Sequence, residues 1–245
     1  MGVSSNIVLI KNIQVPKTIK TNKQISYYNI PCAFDIETTS ITKSSTLDNE
    51  EKYAFMYIWQ LSINGVKIYG RTWDEFLEVY QELVEHFQTH ENRRLVIYVH
   101  NLSFEFQFIR KLLTWSKVFA MDKRKPIQAI TIDGIEFRCS YILSGFSLAK
   151  LGDQLQRYKV SKKVGDLDYS KIRHSKTPLT EKELGYCFSD IEVVESYIRE
   201  CIENEGDITR IPLTKTGYVR NYCRNRCFMK PRVVIPQKNF RLIEI

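Results

Sequence analysis

The sequence lacks any apolar run that approaches the ~20 residues needed to span a bilayer. Its N-terminus also lacks the apolar core of a signal peptide. We therefore expect a soluble protein that is not exported. With 245 residues, 43% of them hydrophobic, the chain can bury a substantial core. This excludes a small disulfide-stapled scaffold and favours one large domain, alone or with an appendage.

Paired Cys-x-x-Cys knuckles are also missing. The six cysteines are scattered, several of them in apolar or helical contexts where cysteine behaves as a small hydrophobic residue. We expect reduced thiols in a cytosol. Cys223 and Cys227 are four residues apart and suit one helix face, but no histidine or further cysteine pair completes a tetrahedral zinc site.

Basic residues outnumber acidic ones by 36 to 28, which gives a formal net charge of +8. Such a charge favours a polyanionic partner such as nucleic acid. A basic surface that is merely solvated is the alternative.

Two carboxylates stand out in the segment from Cys32 to Thr39. Asp35 and Glu37 alternate with apolar residues, so a strand would place both on one face. Two like charges placed together call for a cation, and oxygen ligands suit Mg²⁺ or Mn²⁺ better than zinc. The alternative is a solvated strand end with two surface acids.

The patterns along the chain predict a mixed α/β fold rather than strict βαβ alternation. Asn64-Gly65 and Asp133-Gly134 each separate two β-rich runs and predict hairpins. Thr72 and Thr180 open capping boxes, which are typical of helix starts. In chain order we predict a polar, poorly packed leader (1–28), the Asp35 strand, a polar loop (40–52), a hairpin (53–69), a helix (73–90), an interior strand (95–99), a helix (103–119), a hairpin (127–141), a short helix (147–157), a helix from Thr180 to about Asn204, and a basic, loop-rich tail (207–245).

Three more polar residues are candidates for the same site. Glu105 lies at the start of the helix after the interior strand, close to the sheet edge where open α/β sheets hold ligands. An acid there also simply favours the helix dipole. Tyr186 and Asp190 share a face of the capped helix beside buried positions, where an aspartate wants a cation or a donor. An exposed aspartate beside a half-buried tyrosine is the alternative.

Taken together, Phe-Asp35-Ile-Glu37-Thr-Thr, His100-Asn101-Leu-x-Phe-Glu105 and Tyr186-x-x-x-Asp190 resemble the three exonuclease motifs of the DEDD superfamily, tyrosine branch. More narrowly, the chain is similar to the proofreading domain of protein-primed bacteriophage family B DNA polymerases, over roughly residues 30–220. The resemblance implies a ribonuclease H-like fold for residues 29–206, with a mixed central sheet flanked by helices. It also implies 3′ to 5′ removal of nucleotides from single-stranded DNA by two metal ions, Mg²⁺ or Mn²⁺, about 4 Å apart.

The resemblance also implies a role for each matching residue. Asp35, Glu37, Glu105 and Asp190 would bind the metals, with Glu105 standing where the family usually has aspartate. Tyr186 would orient the attacking water. The family's catalytic lysine is replaced by Val164 here, and Lys163, one position upstream, is the candidate to take over this catalytic role. The residues implied to hold the DNA are Thr38, Asn101, Phe104, Ser147, Leu148 and Tyr169.

The palm motifs that follow the exonuclease in these polymerases do not occur before Ile245. We therefore expect no nucleotide addition by this chain alone, and we interpret residues 207–245 as the start of the connection to a palm in a truncated or split polymerase. A palm-bearing chain and a terminal protein are the further partners implied, in the cytoplasm of a bacterial host. The alternatives are a catalytically weakened nucleic-acid-binding module and a stand-alone ribonuclease.

Overall fold

A computed structural model describes residues 3–45, 49–122, 124–160 and 171–228. The elements are α1 (Val3–Lys11), β1 (Thr18–Lys20), β2 (Ser26–Tyr28), β3 (Cys32–Ser45), β4 (Asn49–Ile63), β5 (Val66–Gly70), α2 (Trp73–Phe87), β6 (Arg93–Val99), α3 (Leu102–Ile109), β7 (Trp115–Ala120), β8 (Pro126–Thr131), β9 (Ile135–Cys139), α4 (Ser140–Ser144), α5 (Leu148–Gln154), α6 (Glu181–Glu205) and α7 (Lys215–Phe228). Within this part of the chain, no helix is both long and apolar enough to cross a membrane.

The strands form a mixed sheet in the order β5-β4-β3-β6-β9-β8-β7, and the short β2 also pairs with β6. β6 runs parallel to both β3 and β9 in the middle of the sheet, while the flanking pairs are antiparallel. β6 contains the predicted interior strand, and Leu95–Val99 is buried throughout. Helices cover the two faces, so the predicted mixed sheet flanked by helices is confirmed.

Alternation along β3 assigns its residues to two different cores. Phe34 and Ile36 pack into the larger core together with α2, whereas Ala33 packs into the core formed with α6. Asp35 and Glu37 have the parity of Ala33, so they lie on the α6 face of the sheet. This parity brings the two carboxylates under the long capped helix.

Both predicted hairpins and both capping boxes are confirmed. Asn64 and Gly65 have φ angles of +49° and +92° between β4 and β5, which suits a two-residue turn. At Gly134 a side chain is excluded by space as well, because a Cβ would lie 2.3 Å from the carbonyl oxygen of His90. The Thr180 side chain accepts from the backbone N–H of Glu183, whose carboxylate accepts from the Thr180 N–H in return.

The expectation that residues 1–28 pack poorly is wrong. Ile10 of α1 is fully buried, and Tyr28 of β2 is 4% exposed in the same core. Isolated apolar residues on short elements are enough to dock this segment, although they are too few to show a period. The domain boundaries that we predict stay predictions.

Two further expectations about segments are wrong. The polar loop predicted at 40–52 is largely strand, because β3 and β4 continue as an antiparallel pair through Ser45 and Asn49. The helix predicted over 103–119 ends at Ile109, and β7 then pairs with β8 at the sheet edge. In both cases the backbone N–H and C=O groups form hydrogen bonds with a neighbouring strand. Such pairing does not require an apolar sequence pattern in the segment itself.

The tail is also more regular than predicted, because α7 occupies 215–228. The Thr214 hydroxyl accepts from the Gly217 N–H and so caps the first turn. The helix carries many basic and polar residues and no apolar stripe, so hydrophobic periodicity could not predict it.

Candidate active site

One strand and one helix bring three carboxylates together. Asp35 and Glu37 project from β3, and Asp190 projects from α6, which packs across the same face of the sheet. One carboxylate oxygen from each of these residues lies within 4.8 Å of the others. Asp190 is 6% exposed. The irregularity in pairing just after Glu37 lies at this point, where β-bulges commonly re-aim side chains at a site.

Tyr186 lies one helical turn before Asp190 and is 4% exposed. Its ring packs in a small core with Tyr57, Ile58 and Cys187. The sequence prediction that Tyr186 and Asp190 share a buried face of α6 is confirmed. This packing restrains a phenol on the same helix face as one of the clustered carboxylates.

Glu105 joins the site from the first turn of α3, directly after β6. Asn101, two residues after the end of β6, is the N-cap residue of α3 and has a φ angle of +82°. Glu105 is 3% exposed and makes a hydrogen bond with Asp35. Burial raises the pKa of Glu105 and the charge of Glu37 adds to the rise, while its own backbone N–H and the contact with Asp35 oppose it.

The four acidic residues fit a divalent metal site; they are Asp35, Glu37, Glu105 and Asp190. All four offer carboxylate oxygens, the donors that Mg²⁺ and Mn²⁺ prefer. In the described part of the chain, Oε2 of Glu105 is buried and has no hydrogen-bond partner. A buried carboxylate oxygen in that state is costly unless a cation or a donor reaches it. The cluster therefore has the oxygen ligands of a cation site and a buried carboxylate oxygen that a cation would stabilise.

Gln60 belongs to the site, and the sequence analysis missed it. Register pairs Gln60 of β4 with Asp35 of β3, and its amide Nε2 donates a 2.7 Å hydrogen bond to Asp35 Oδ2. Gln60 is fully buried, and its Oε1 has no partner among the described residues. No local sequence signal identifies it, because Gln60 lies 25 residues from Asp35 and a register shift after Glu37 interrupts the pairing of β3 with β4.

Cys187 was missed as well. It is fully buried, and burial together with the charges of Glu37, Asp35 and Asp190 raises the pKa of its thiol. A signal did exist here, because Cys187 and Asp190 are three residues apart on a helix and so share a face. The thiol stays protonated and acts as a small apolar wall of the site.

The residues predicted to hold nucleic acid have different placements. Asn101 is exposed and Phe104 is 39% exposed, both within one turn of Glu105, and Thr38 follows Glu37 on β3. Ser147 caps α5 and Leu148 packs against the α6 core, so both are supported by the helix that carries Asp190. Lys163 and Tyr169 lie outside the described residues.

Arg173 anchors the start of α6 to β3. Its backbone N–H donates to Thr39 Oγ1 at 3.0 Å, and its guanidinium donates twice to Glu183 Oε1, at 2.6 and 3.1 Å. Arg173 is 2% exposed. Hydrogen bonds from the Thr180 backbone and from Arg173 lower the pKa of Glu183 to about 2. This anchor sets the distance between the strand with Asp35 and Glu37 and the helix with Asp190.

Comparison with known proteins gives matches at the level of structure alone. No protein-family profile matches the sequence, and no curated protein matches it. Phi29 DNA polymerase in complex with single-stranded DNA matches with a TM-score of 0.60 at 15% identity, over 82% of this chain and 35% of that chain. The ternary complex of the same polymerase with primer-template DNA and incoming nucleotides matches with a TM-score of 0.60 at 14% identity, over 82% of this chain and 35% of that chain. The orthorhombic crystal form matches with a TM-score of 0.58 at 14% identity, over 80% of this chain and 34% of that chain.

These matches concern the fold. The chain spans about a third of the length of phi29 DNA polymerase, and identities this low carry no residue roles. They confirm the predicted mixed α/β architecture of the ribonuclease H-like type, since the same arrangement of sheet and helices occurs in part of that polymerase.

Proposed function

We propose that this chain is the exonuclease part of a protein-primed family B DNA polymerase and that it hydrolyses single-stranded DNA from the 3′ end. The observation that carries the proposal is the convergence of Asp35, Glu37 and Asp190 within 4.8 Å. Glu105 contacts Asp35, and Tyr186 lies one turn from Asp190. The fold match to part of a DNA polymerase supports the same activity.

The chemistry is a phosphodiester hydrolysis. A water oxygen bonds to the scissile phosphorus, the P–O3′ bond breaks, and a nucleoside 5′-monophosphate leaves while the shortened strand keeps a 3′-hydroxyl. Asp35, Glu37, Glu105 and Asp190 would hold two divalent cations, Mg²⁺ or Mn²⁺, which when bound neutralise charge on the phosphate and make water a better nucleophile. The packed Tyr186 would orient the attacking water through its hydroxyl. Lys163 stays a candidate for a further catalytic role.

The DNA end would be held beside the carboxylates by exposed groups. Phe104 presents a partly exposed ring on which a base can stack, and Asn101 presents an amide one turn from Glu105. Thr38 would complete this contact from β3. Ser147, Leu148 and Tyr169 would hold the strand further from its end. Phi29 DNA polymerase has been crystallised with single-stranded DNA and with primer-template DNA, which supports DNA as the substrate.

The test is release of mononucleotides from a 3′-labelled single strand in Mg²⁺ or Mn²⁺. We expect release by the wild type and none above background for Asp35→Ala. Glu78→Ala is the matched control, because it also removes one carboxylate but from an exposed position on α2. Equal release by Asp35→Ala, or release that persists in EDTA, would show that the carboxylate cluster is not the active site.

One observation favours a second candidate, a catalytically weakened nucleic-acid-binding module. Glu105 stands where the resembled family usually has aspartate, and the longer arm displaces its carboxylate oxygens, which can cost rate heavily. This candidate predicts salt-sensitive DNA binding without turnover. Glu105→Asp separates the two, because restored cleavage in that variant indicates decay of an ancestral site, whereas reduced cleavage indicates a site adapted to glutamate. A matched RNA strand tests the ribonuclease alternative.

A further inference from the structure

Two adjoining cavities lie at the edge of the sheet formed by β7 and β8. The first, of about 490 Å³, is lined at one end by Asn101 and Ser103, which flank the start of the helix that carries Glu105. The second, of about 520 Å³, runs over residues 209–217 to α7. Both are lined by Met121 and Ile127, so they form one concave surface, which we call the Met121 groove.

The far end of the groove carries unbalanced positive charge. Lys125 in the first cavity and Arg210 in the second each pair with an acid, Asp122 at 4.0 Å and Asp207 at 3.2 Å. Arg220 and Arg224 of α7 also line the second cavity, and neither forms an ion pair with an acidic residue in the part of the chain that the structure describes. Both arginines are exposed. This end of the groove is suited to bind an anionic chain.

The middle of the groove presents exposed apolar and aromatic side chains. Phe119 is 46% exposed, Met121 is 70% exposed and Tyr141 is 45% exposed. Large apolar groups left in contact with water along a concave surface usually mark an interaction site. Flat rings alternating with cationic groups are typical of surfaces that bind single-stranded nucleic acid, where the bases stack and the phosphates pair.

We propose that the Met121 groove binds the single strand upstream of its 3′ end. The terminal nucleotides would lie at Asn101 and Phe104, bases further along would stack on Tyr141, Met121 and Phe119, and phosphates would reach Arg220 and Arg224. This proposal rests on the proposed function, since that function places the 3′ end at the carboxylates. The unbalanced charge of α7 and the continuity of the groove with Asn101 favour DNA over a protein segment as the occupant.

The test is equilibrium binding of a fluorescent oligothymidylate of about 12 nucleotides, within the ~4–16 nucleotide range of single-strand sites. Binding is measured in EDTA, so that no cleavage occurs. For Arg220→Gln with Arg224→Gln we expect roughly tenfold weaker affinity, with a salt slope lower by about 1.4, or about 0.7 for each phosphate that the variant no longer neutralises. The matched control is Lys17→Gln with Lys20→Gln, which removes two exposed charges near the opposite end of β6 and should leave both quantities unchanged.

A second variant, Phe119→Ala with Met121→Ala, tests the stacking surface. It should weaken binding by roughly fivefold or more while leaving the salt slope unchanged, because stacking does not release counterions. Both side chains are largely exposed, so the variant should unfold at the wild-type denaturant concentration, which is checked alongside.

Wild-type affinity and salt slope in the arginine variant would overturn the groove proposal, and a protein segment would then be the better occupant. If this happens while the wild type still releases mononucleotides, the proposed function stands and only the groove fails. If the arginine variant loses affinity but no Asp35-dependent release occurs, the groove stands and the exonuclease fails.

Discussion

Replacing Asp190 with asparagine should stabilise the metal-free protein and remove its stabilisation by metal. Asp190 lies with Asp35 and Glu37 in a cluster whose carboxylate oxygens are within 4.8 Å of one another. Without a cation these charges repel each other. Asparagine has nearly the same shape as aspartate but carries no charge, so it removes two of the three repulsive pairs and leaves the packing of α6 intact.

The size of the effect follows from that distance. Two unit charges 4.8 Å apart repel by about 3.5 kcal/mol at an effective dielectric constant of ~20, which gives about 7 kcal/mol for the two pairs that the variant removes. Solvent reaching the partly exposed Asp35 reduces this value, and the cluster can also take up a proton instead of carrying every charge. We therefore expect a gain of about 1–3 kcal/mol in the free energy of unfolding at neutral pH in EDTA.

The assay is denaturant unfolding of wild type and variant, first in EDTA and then with Mn²⁺ or Mg²⁺. A metal present at ~100 times its Kd should stabilise the wild type by about 2.7 kcal/mol, because only the folded state has the site. For Asp190→Asn, the free energy of unfolding should already be higher than that of the wild type in EDTA, and adding metal should raise it little further. Glu78→Gln is the matched control, since it removes one exposed charge on α2 and should change neither value.

Two results would refute the reasoning. If Asp190→Asn is less stable than the wild type in EDTA, the aspartate acts as a structural hydrogen-bonding group rather than as one of several repelling charges. If metal stabilises the variant as much as the wild type, the cation binds elsewhere.

Three further predictions concern the surroundings of the cluster. Gln60→Leu removes the donor to Asp35 Oδ2 and should weaken metal affinity or strand cleavage by about 10–100-fold, as measured by metal titration, with the fold retained. Arg173→Met breaks the buried contact of the guanidinium with Glu183, keeps the backbone hydrogen bond to Thr39, and should lower the free energy of unfolding by roughly 3 kcal/mol; a loss below ~1 kcal/mol would contradict the anchoring role. Since the pKa of Glu183 is about 2 in the folded protein and ~4.3 in an unfolded chain, its contribution is complete above that unfolded value and is lost as pH falls towards 2. The stability difference between wild type and Arg173→Met should therefore shrink across that window in acid unfolding curves, and a constant difference would contradict the assignment.

Local patterns were sufficient to predict much of the fold and the residue types that meet in the candidate site. Alternation in β3 placed Asp35 and Glu37 on one face, the capping box at Thr180 marked the start of α6, and the four-residue spacing placed Tyr186 beside Asp190. Asn64-Gly65 needed only its own turn geometry to define a hairpin. Each of these features depends on residues within a few positions of one another, so the sequence carries them directly.

Other features depend on where distant segments meet. The strand β7 replaced a predicted helix because its partner β8 lies across the sheet edge, and α1 is ordered by packing on α2 rather than by its own pattern. The register of β3 against β4 brings Gln60 opposite Asp35, 25 residues away along the chain and beyond a register shift after Glu37.

The candidate site also combines features that local sequence predicts with features that depend on tertiary packing. The sequence alone predicted that four acids and a tyrosine form one oxygen-rich set, with metal binding as the proposed role. Tertiary packing decided that Glu105 is buried, with 3% of its surface exposed, and that it contacts Asp35 while one of its carboxylate oxygens has no partner among the described residues. It also decided that Gln60 and Cys187 line the site. Burial and hydrogen bonding between distant positions of the chain arise only when sheet and helices pack together, so no local pattern can report them.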